Sequence, residues 1–375
     1  MDLTKHTVKE LLQKCSDKNI TNVKSKKKME LIALLEGQNN NEIEAIDDEI
    51  VEVQETETIN TAPESNHIYH GNCIEYMQKM EANSVDMVCT DPPYFLDGLG
   101  DDWNKDKLDA KGSSFVIGNL PTSMKFDRKQ SKKFYEFYTT VSKEAFRILK
   151  PGGAFLSFSS PRLYHSMAMA IEDAGFEIRD MLGWIYTQSQ VKAFSQDHII
   201  NNDKTRTDEQ KETLKETCKN WRTPQLKPAI EPICLAVKPT EGRLIDNFDK
   251  YGTGLMNTSE NTKVGINNDY FPSNIVTTEH IDETMDKVFL VSKPNKEEKG
   301  TFNTHVSVKP VSLISHLIKL FTKENALVLD PFMGSGTTAV ACITTNRKYI
   351  GYDLNVEYIQ IANKRIENLK DTPLV

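Results

Sequence analysis

Between residues 325 and 353 the chain reads Asn325-Ala-Leu-Val-Leu-Asp330, then Pro331-Phe-Met-Gly334-Ser-Gly336-Thr-Thr338, then an apolar helical pattern, then Tyr349-Ile-Gly-Tyr352-Asp353. This is strand, glycine turn, helix and strand in close succession, and it commits the chain to an α/β sheet. Glycines at 334 and 336 let the backbone approach a ligand, and the helix that follows offers N–H groups without intrahelical partners. Asp353 ends the second strand, 17 residues after Gly336. A carboxylate at that place can accept both hydroxyls of a ribose. Turn and acid together predict a site for an adenosine-containing cofactor. Which cofactor, this pattern leaves open.

The same alternation extends to both sides. Apolar runs predict strands at Val85–Thr90, Ala154–Ser159, Met181–Thr187, Pro232–Val237, Ala326–Leu329 and Tyr349–Tyr352. Helical periodicity falls at Ser131–Leu149, Leu163–Ala174, Val311–Phe321, Thr337–Thr344 and Val356–Leu369. Two stretches, 191–229 and 240–299, lack such a pattern and are expected to be inserts. Residues 41–66 hold nine acidic side chains and no basic one, so 38–66 is expected to be a disordered linker. That run also explains the net charge of −8, which therefore says nothing about partners. Residues 1–37 carry eight lysines against five acids and two short helix patterns, with a capping box from Thr7 to Glu10. No apolar run approaches the roughly 20 residues that cross a bilayer. The start lacks a secretory apolar region, and the six cysteines include no pair at CxxC spacing. Those features disfavour a zinc site and a disulfide framework and predict a cytoplasmic protein, with neither membrane nor metal as a partner.

A second site candidate follows the strand Val85–Thr90: Asp91-Pro92-Pro93-Tyr94. Two prolines remove two N–H groups and stiffen the turn, which aims the Pro92 carbonyl outward. Asp91 can accept one hydrogen of an exocyclic amine and the Pro92 carbonyl the other. Tyr94 can stack on a flat heterocycle. Such a set holds an aromatic amine with its lone pair facing a methyl donor. Trp184 reads as a core residue, and Asp97, Asp101 and Asp102 as loop acids.

Together the motifs Asp91-Pro-Pro-Tyr94 and Asp330-Pro-Phe-Met-Gly-Ser-Gly-Thr-Thr338 resemble those of the DNA amino-methyltransferases that use S-adenosylmethionine. The amine-holding motif precedes the cofactor motif, as in the permuted beta class. The resemblance covers roughly 67–187 and 300–370, and it extends to Lys150-Pro-Gly-Gly153, His305-Val-Ser-Val-Lys309-Pro310 and Gly71-Asn72-Cys73. It implies a Rossmann-like methyltransferase fold: a mostly parallel twisted sheet with an antiparallel hairpin, in circularly permuted order. The core would be 67–190, 230–239 and 300–370, with target recognition in 191–229 and 240–299. The implied catalytic residues are Asp91, Pro92, Pro93 and Tyr94. The implied cofactor residues are Asn72, Cys73, His305, Lys309, Pro310, Asp330, Pro331, Phe332, Gly334, Ser335, Gly336, Thr337, Thr338, Asp353 and Leu354. Asn72 stands where the family carries an acid, so a contact to adenine there would use its side-chain carbonyl. Val306 and Ser307 also depart from the family's pattern. Residues 1–37 are similar to the SAP/HeH helical DNA-binding modules.

The implied activity is methylation of adenine N6 in double-stranded DNA, on a base flipped out of the stack. Asp rather than Ser at position 91 favours adenine over cytosine N4. The resemblance further implies a homodimer and a cognate restriction endonuclease as partners. A DNA-binding protein with an inactive core, and a transferase acting on RNA or protein, are the competing readings.

Overall fold

The computed structural model describes residues 14, 62–93, 128–186, 193–224, 226–258, 272–277, 289–291, 293–300, 302–303 and 308–370. Apart from residue 14, the helical module of 1–37 lies outside the described residues, as do Tyr94 with the stretch after it and His305. The chain divides into units of residues 1–58 and 59–375, and every element below belongs to the second.

In chain order these are β1 (His67–His70), α1 (Cys73–Lys79), β2 (Val85–Thr90), α2 (Arg128–Ile148), β3 (Leu149–Phe158), α3 (Tyr164–Asp173), β4 (Glu177–Ile185), α4 (Asp197–Asn201), α5 (Asp208–Thr217) and β5 (Ile230–Val237). There follow α6 (Leu244–Tyr251), β6 (Ile275–Thr277), β7 (Phe289–Leu290), α7 (Lys296–Lys299), α8 (Val311–Phe321), β8 (Leu327–Asp330), α9 (Thr337–Thr344), β9 (Lys348–Asp353) and α10 (Val356–Lys370). The strands form one sheet in the order β1-β9-β8-β2-β3-β5-β4-β6-β7. Every pairing is parallel except the two made by β5, with β3 and β4.

The burial of β2 explains its sequence. All six residues are buried, as expected of a strand covered by helices on both faces. Met87 and Cys89 point into a core shared with α8, α9 and α10. Val85 and Val88 point into another, shared with α1, α2 and α3. Trp184 is 4% exposed and belongs to the first core, as its sequence context predicts.

Three expectations are corrected in detail. Lys150-Pro-Gly-Gly153, left between the predicted helix ending at 149 and the predicted strand beginning at 154, is part of β3: the register jumps from Val85↔Leu149 to Met87↔Ala154, so these residues bulge from the ladder. At the end of the stretch read as linker, Asn66 donates its N–H to the Tyr349 carbonyl at 2.6 Å. Finally, β1 has no counterpart among the predicted strands. It is four residues long, and its burial is partial and irregular.

Direction along the sheet decides what each end can hold. From β8 the chain moves one way, to β9. From β2 it moves the other way, to β3. The order therefore reverses between β8 and β2, and in open α/β sheets ligands bind at the carboxyl ends of strands at such a point.

Candidate active site

The reversal point carries both motifs of interest. β8 ends in Asp330 and β2 ends in Thr90, immediately before Asp91. Thr90 Oγ1 donates to Asp330 Oδ1 at 2.7 Å, which ties the two loops together beneath the crevice. Asp330 also accepts from Thr338 Oγ1 at 2.6 Å and from the Phe332 N–H at 3.1 Å. It is 4% exposed. Burial pushes its carboxyl up to about 6, against the pull of those hydrogen bonds. Asp330 therefore shapes the glycine loop from beneath.

The loop itself turns on Gly334 (φ 54°) and Gly336 (φ 82°). A Cβ on Gly336 would lie 2.7 Å from the Ala362 Cβ of α10, so the helix sits against bare backbone here. Ser335, Thr337 and Thr338 are buried, and their hydroxyls face inward. Arg365 donates to the Ser335 carbonyl at 2.7 Å and to Thr337 Oγ1 at 3.2 Å. These three residues, read from the resemblance as cofactor contacts, make hydrogen bonds that hold the loop's shape. Arg365 was missed in the sequence. Its signal was a cation on the face of α10 that otherwise carries Ile361, Ala362 and Ile366. Pro331 is buried and Phe332 half-buried, its ring 5.9 Å from that of Phe137.

Asp353 closes the loop from the next strand. Its Oδ2 accepts from the Gly334 N–H at 2.7 Å and its Oδ1 from the Asn355 N–H at 2.8 Å. Burial raises its carboxyl above the ordinary range, partly offset by those two N–H groups. A carboxylate has room for further donors beyond two, so a ribose can join them. Leu354 beside it is exposed, and its carbonyl lies 3.1 Å from His70 Nε2.

Farther along the edge, β1 leads to Gly71, whose N–H donates to the Asp353 carbonyl at 2.9 Å. Asn72 is the N-cap of α1, its Oδ1 accepting from the Ile74 N–H at 3.0 Å. The side-chain carbonyl expected to meet adenine thus accepts one bond from the helix and has a second lone pair for another donor. Cys73 is buried in the core under α1, and burial pushes its thiol up to about 12. Its side chain is a packing element.

On the other side of the crevice, Pro92 is buried and Pro93 half-buried. Lys309, read from the resemblance as a cofactor residue, directs its ammonium to Asp91 and, at 2.8 Å, to Glu231 Oε1. Burial alone would depress this ammonium, but the two carboxylates outweigh it and hold its proton more firmly than usual. Pro310 caps α8. Glu231 was missed: it lies in Ile230-Glu-Pro-Ile-Cys234 and belongs to no motif.

Residues 85–364 match the N6/N4 family described as DNA methylase, three quarters of the chain. The chain belongs to that family. The methylase is 31% identical to the type II methyltransferase M.HindIII of Haemophilus influenzae over 320 residues, which cover 80% of this chain and 94% of the relative. It is 24% identical to the DNA adenine methyltransferase YhdJ of Escherichia coli over 315 residues, 81% of this chain and 83% of the relative. Among solved structures, PvuII DNA methyltransferase (cytosine-N4-specific) superposes with a TM-score of 0.51 at 16% identity, over 83% of this chain and 92% of that one. That likeness shows a shared Rossmann-like methyltransferase fold for the methylase.

Proposed function

We propose that this methylase transfers a methyl group from S-adenosylmethionine to the N6 amine of adenine at a specific site in double-stranded DNA. The observation that carries the reading is the placement of Asp91 at the strand-order reversal, joined through Thr90 and Asp330 to the glycine loop. An amine-gripping turn and an adenosine-binding turn share one crevice.

The residues fit the cofactor. Asp353 offers a ribose acceptor, and Gly334 and Gly336 leave backbone bare at the start of α9. When bound, the cofactor supplies an electrophilic methyl group on a sulfonium. The chain's own task is positioning. Asp91 accepts one amine hydrogen and the Pro92 carbonyl the other, while Tyr94 stacks on the flipped base. No covalent attachment to the protein is needed, in keeping with four core cysteines that are deeply buried.

Strand direction also supports a choice between the inserts. β4 ends and β5 begins at the edge that holds Asp91, so the insert between them leaves and rejoins the sheet at that edge. The described part of 240–258 is fixed at the opposite edge, where Asn247 Nδ2 and Thr253 Oγ1 both donate to the Pro151 carbonyl, at 3.0 and 2.6 Å. We assign target recognition chiefly to 191–229 and to the residues of 240–299 beyond that clamp. Residues 1–37 serve as an additional DNA-holding module on the acidic linker 38–66. A homodimer, a cognate restriction endonuclease and a cytoplasmic location complete the proposal. Among the described residues no helix is long and apolar enough to cross a membrane.

The test is nucleoside mass spectrometry after incubating the protein with S-adenosylmethionine and DNA of mixed sequence. N6-methyladenine is the expected product. N4-methylcytosine without it would overturn the adenine assignment, and labelled-methyl incorporation competed by RNA but not DNA would overturn the substrate class.

A further inference from the structure

Glu231 belongs to no motif, yet it faces the crevice for a topological reason. β5 is antiparallel to its neighbours, so it brings its first residues to the edge where β2 and β3 bring their last. Glu231 pairs across the ladder with Trp184, and its side chain is 17% exposed. Between it and Asp91 lies Lys309, whose side chain is 8% exposed. The ammonium contacts both carboxylates and lies 5.2 Å from the centre of the Phe158 ring.

Glu231 adds a second carboxylate to the Asp91–Lys309 pair, and its field also reaches the ammonium of Lys293. The added negative charge matters because the target nitrogen gains positive charge as it gains a methyl group, before it gives up a proton. A fixed negative site beside that nitrogen stabilises the transition state more than the neutral amine. Glu231 holds the ammonium at 2.8 Å while Asp91 holds it too, and the two contacts together fix where the ammonium sits and so which way Asp91 faces. Buried charges hold such geometry because leaving either one unpaired is costly.

We propose that Glu231 is a positioning residue for methyl transfer, acting through Lys309 on the orientation and charge of Asp91. This rests on Asp91 as the amine holder. Methylation by Asp91→Ala tests that reading, and the variants below test Glu231, so the two can fail separately.

Glu231→Gln keeps size and hydrogen bonding and removes the charge. Its kcat should fall at least about tenfold, with KM for DNA and the cofactor dissociation constant, measured calorimetrically, within about threefold of wild type. Glu231→Asp keeps the charge and should recover part of the loss. In a double-mutant cycle, Glu231→Gln added to Lys309→Met should lower kcat by less than about threefold further, because the path through Lys309 is already broken. Wild-type kcat in Glu231→Gln, equal losses in kcat and cofactor binding, or independent losses in the cycle would each overturn the proposal. If Lys309→Met does not fold, the comparison of Gln with Asp at position 231 decides alone: equal activity in the two overturns it.

Discussion

Asp91 and Asp353 are both acids at strand ends, but their partners give them different duties. Asp91→Ala removes the grip on the target amine while Lys309 keeps Glu231 as an ion partner, so the fold should survive. A charge-assisted hydrogen bond and the orientation it gives are lost together, so the expected rate loss is at least about a hundredfold. The cofactor dissociation constant should move by less than about tenfold, because Asp91 meets the base rather than the cofactor. Asp353→Ala should show the reverse order. It removes the ribose acceptor and also leaves the Gly334 and Asn355 N–H groups without the partner that shapes the loop. Calorimetric titration with S-adenosylmethionine should then show binding weakened by at least about tenfold. Near wild-type methylation by Asp91→Ala would remove the basis for the amine-holding role.

At the scale of elements, the glycine loop and α10 are mutually fitted, and Gly336 is the point of contact. An alanine there would need a left-handed backbone and would press its Cβ into Ala362. The two costs together amount to about 2–4 kcal/mol, so Gly336→Ala should lower the denaturation midpoint and cofactor affinity together. A variant as stable as wild type would mean that α10 yields easily. Elements of this kind were legible because their constraint is local. The strand–turn–helix signal of 325–344 placed β8 and α9 almost to the residue, and β2 showed as an apolar run interrupted only by Asp86. What escaped was set by distant parts of the chain. β1 is too short and too partly buried to leave a periodicity, and is held by pairing with β9, about 280 residues later. Glu231 and Arg365 look like ordinary charged residues until the antiparallel run of β5 and the packing of α10 bring them to the site. Asn72 has a second duty that its motif does not show: its side-chain carbonyl caps α1 through the Ile74 N–H.

The same site-building groups affect the whole molecule through its pH dependence. Asp330 titrates at about 6 in the fold, because of burial, against an ordinary value of 3.8. Between these values the folded protein holds a proton that the unfolded chain has lost, so this group's contribution to stability falls as pH rises, by on the order of 3 kcal/mol. His316, buried in α8, runs the other way: burial lowers it to about 4 from 6.5. There the unfolded chain binds the extra proton, and stability rises with pH over nearly the same window. The two slopes oppose each other, so the wild-type profile between about pH 4 and 6 should be flatter than either group alone would give. Asp330→Asn separates them. The amide cannot titrate, and the hydrogen bonds it reshapes with Thr90 and Thr338 add an offset that does not vary with pH. In urea denaturation of the cofactor-free protein, the stability of Asp330→Asn relative to wild type should therefore improve steadily from pH 4 to pH 6.5 and then level off. Groups common to both proteins cancel in that difference. A difference constant across the range would show that Asp330 titrates alike in folded and unfolded chains, and the buried carboxylate beneath the glycine loop would then have to be ionised throughout.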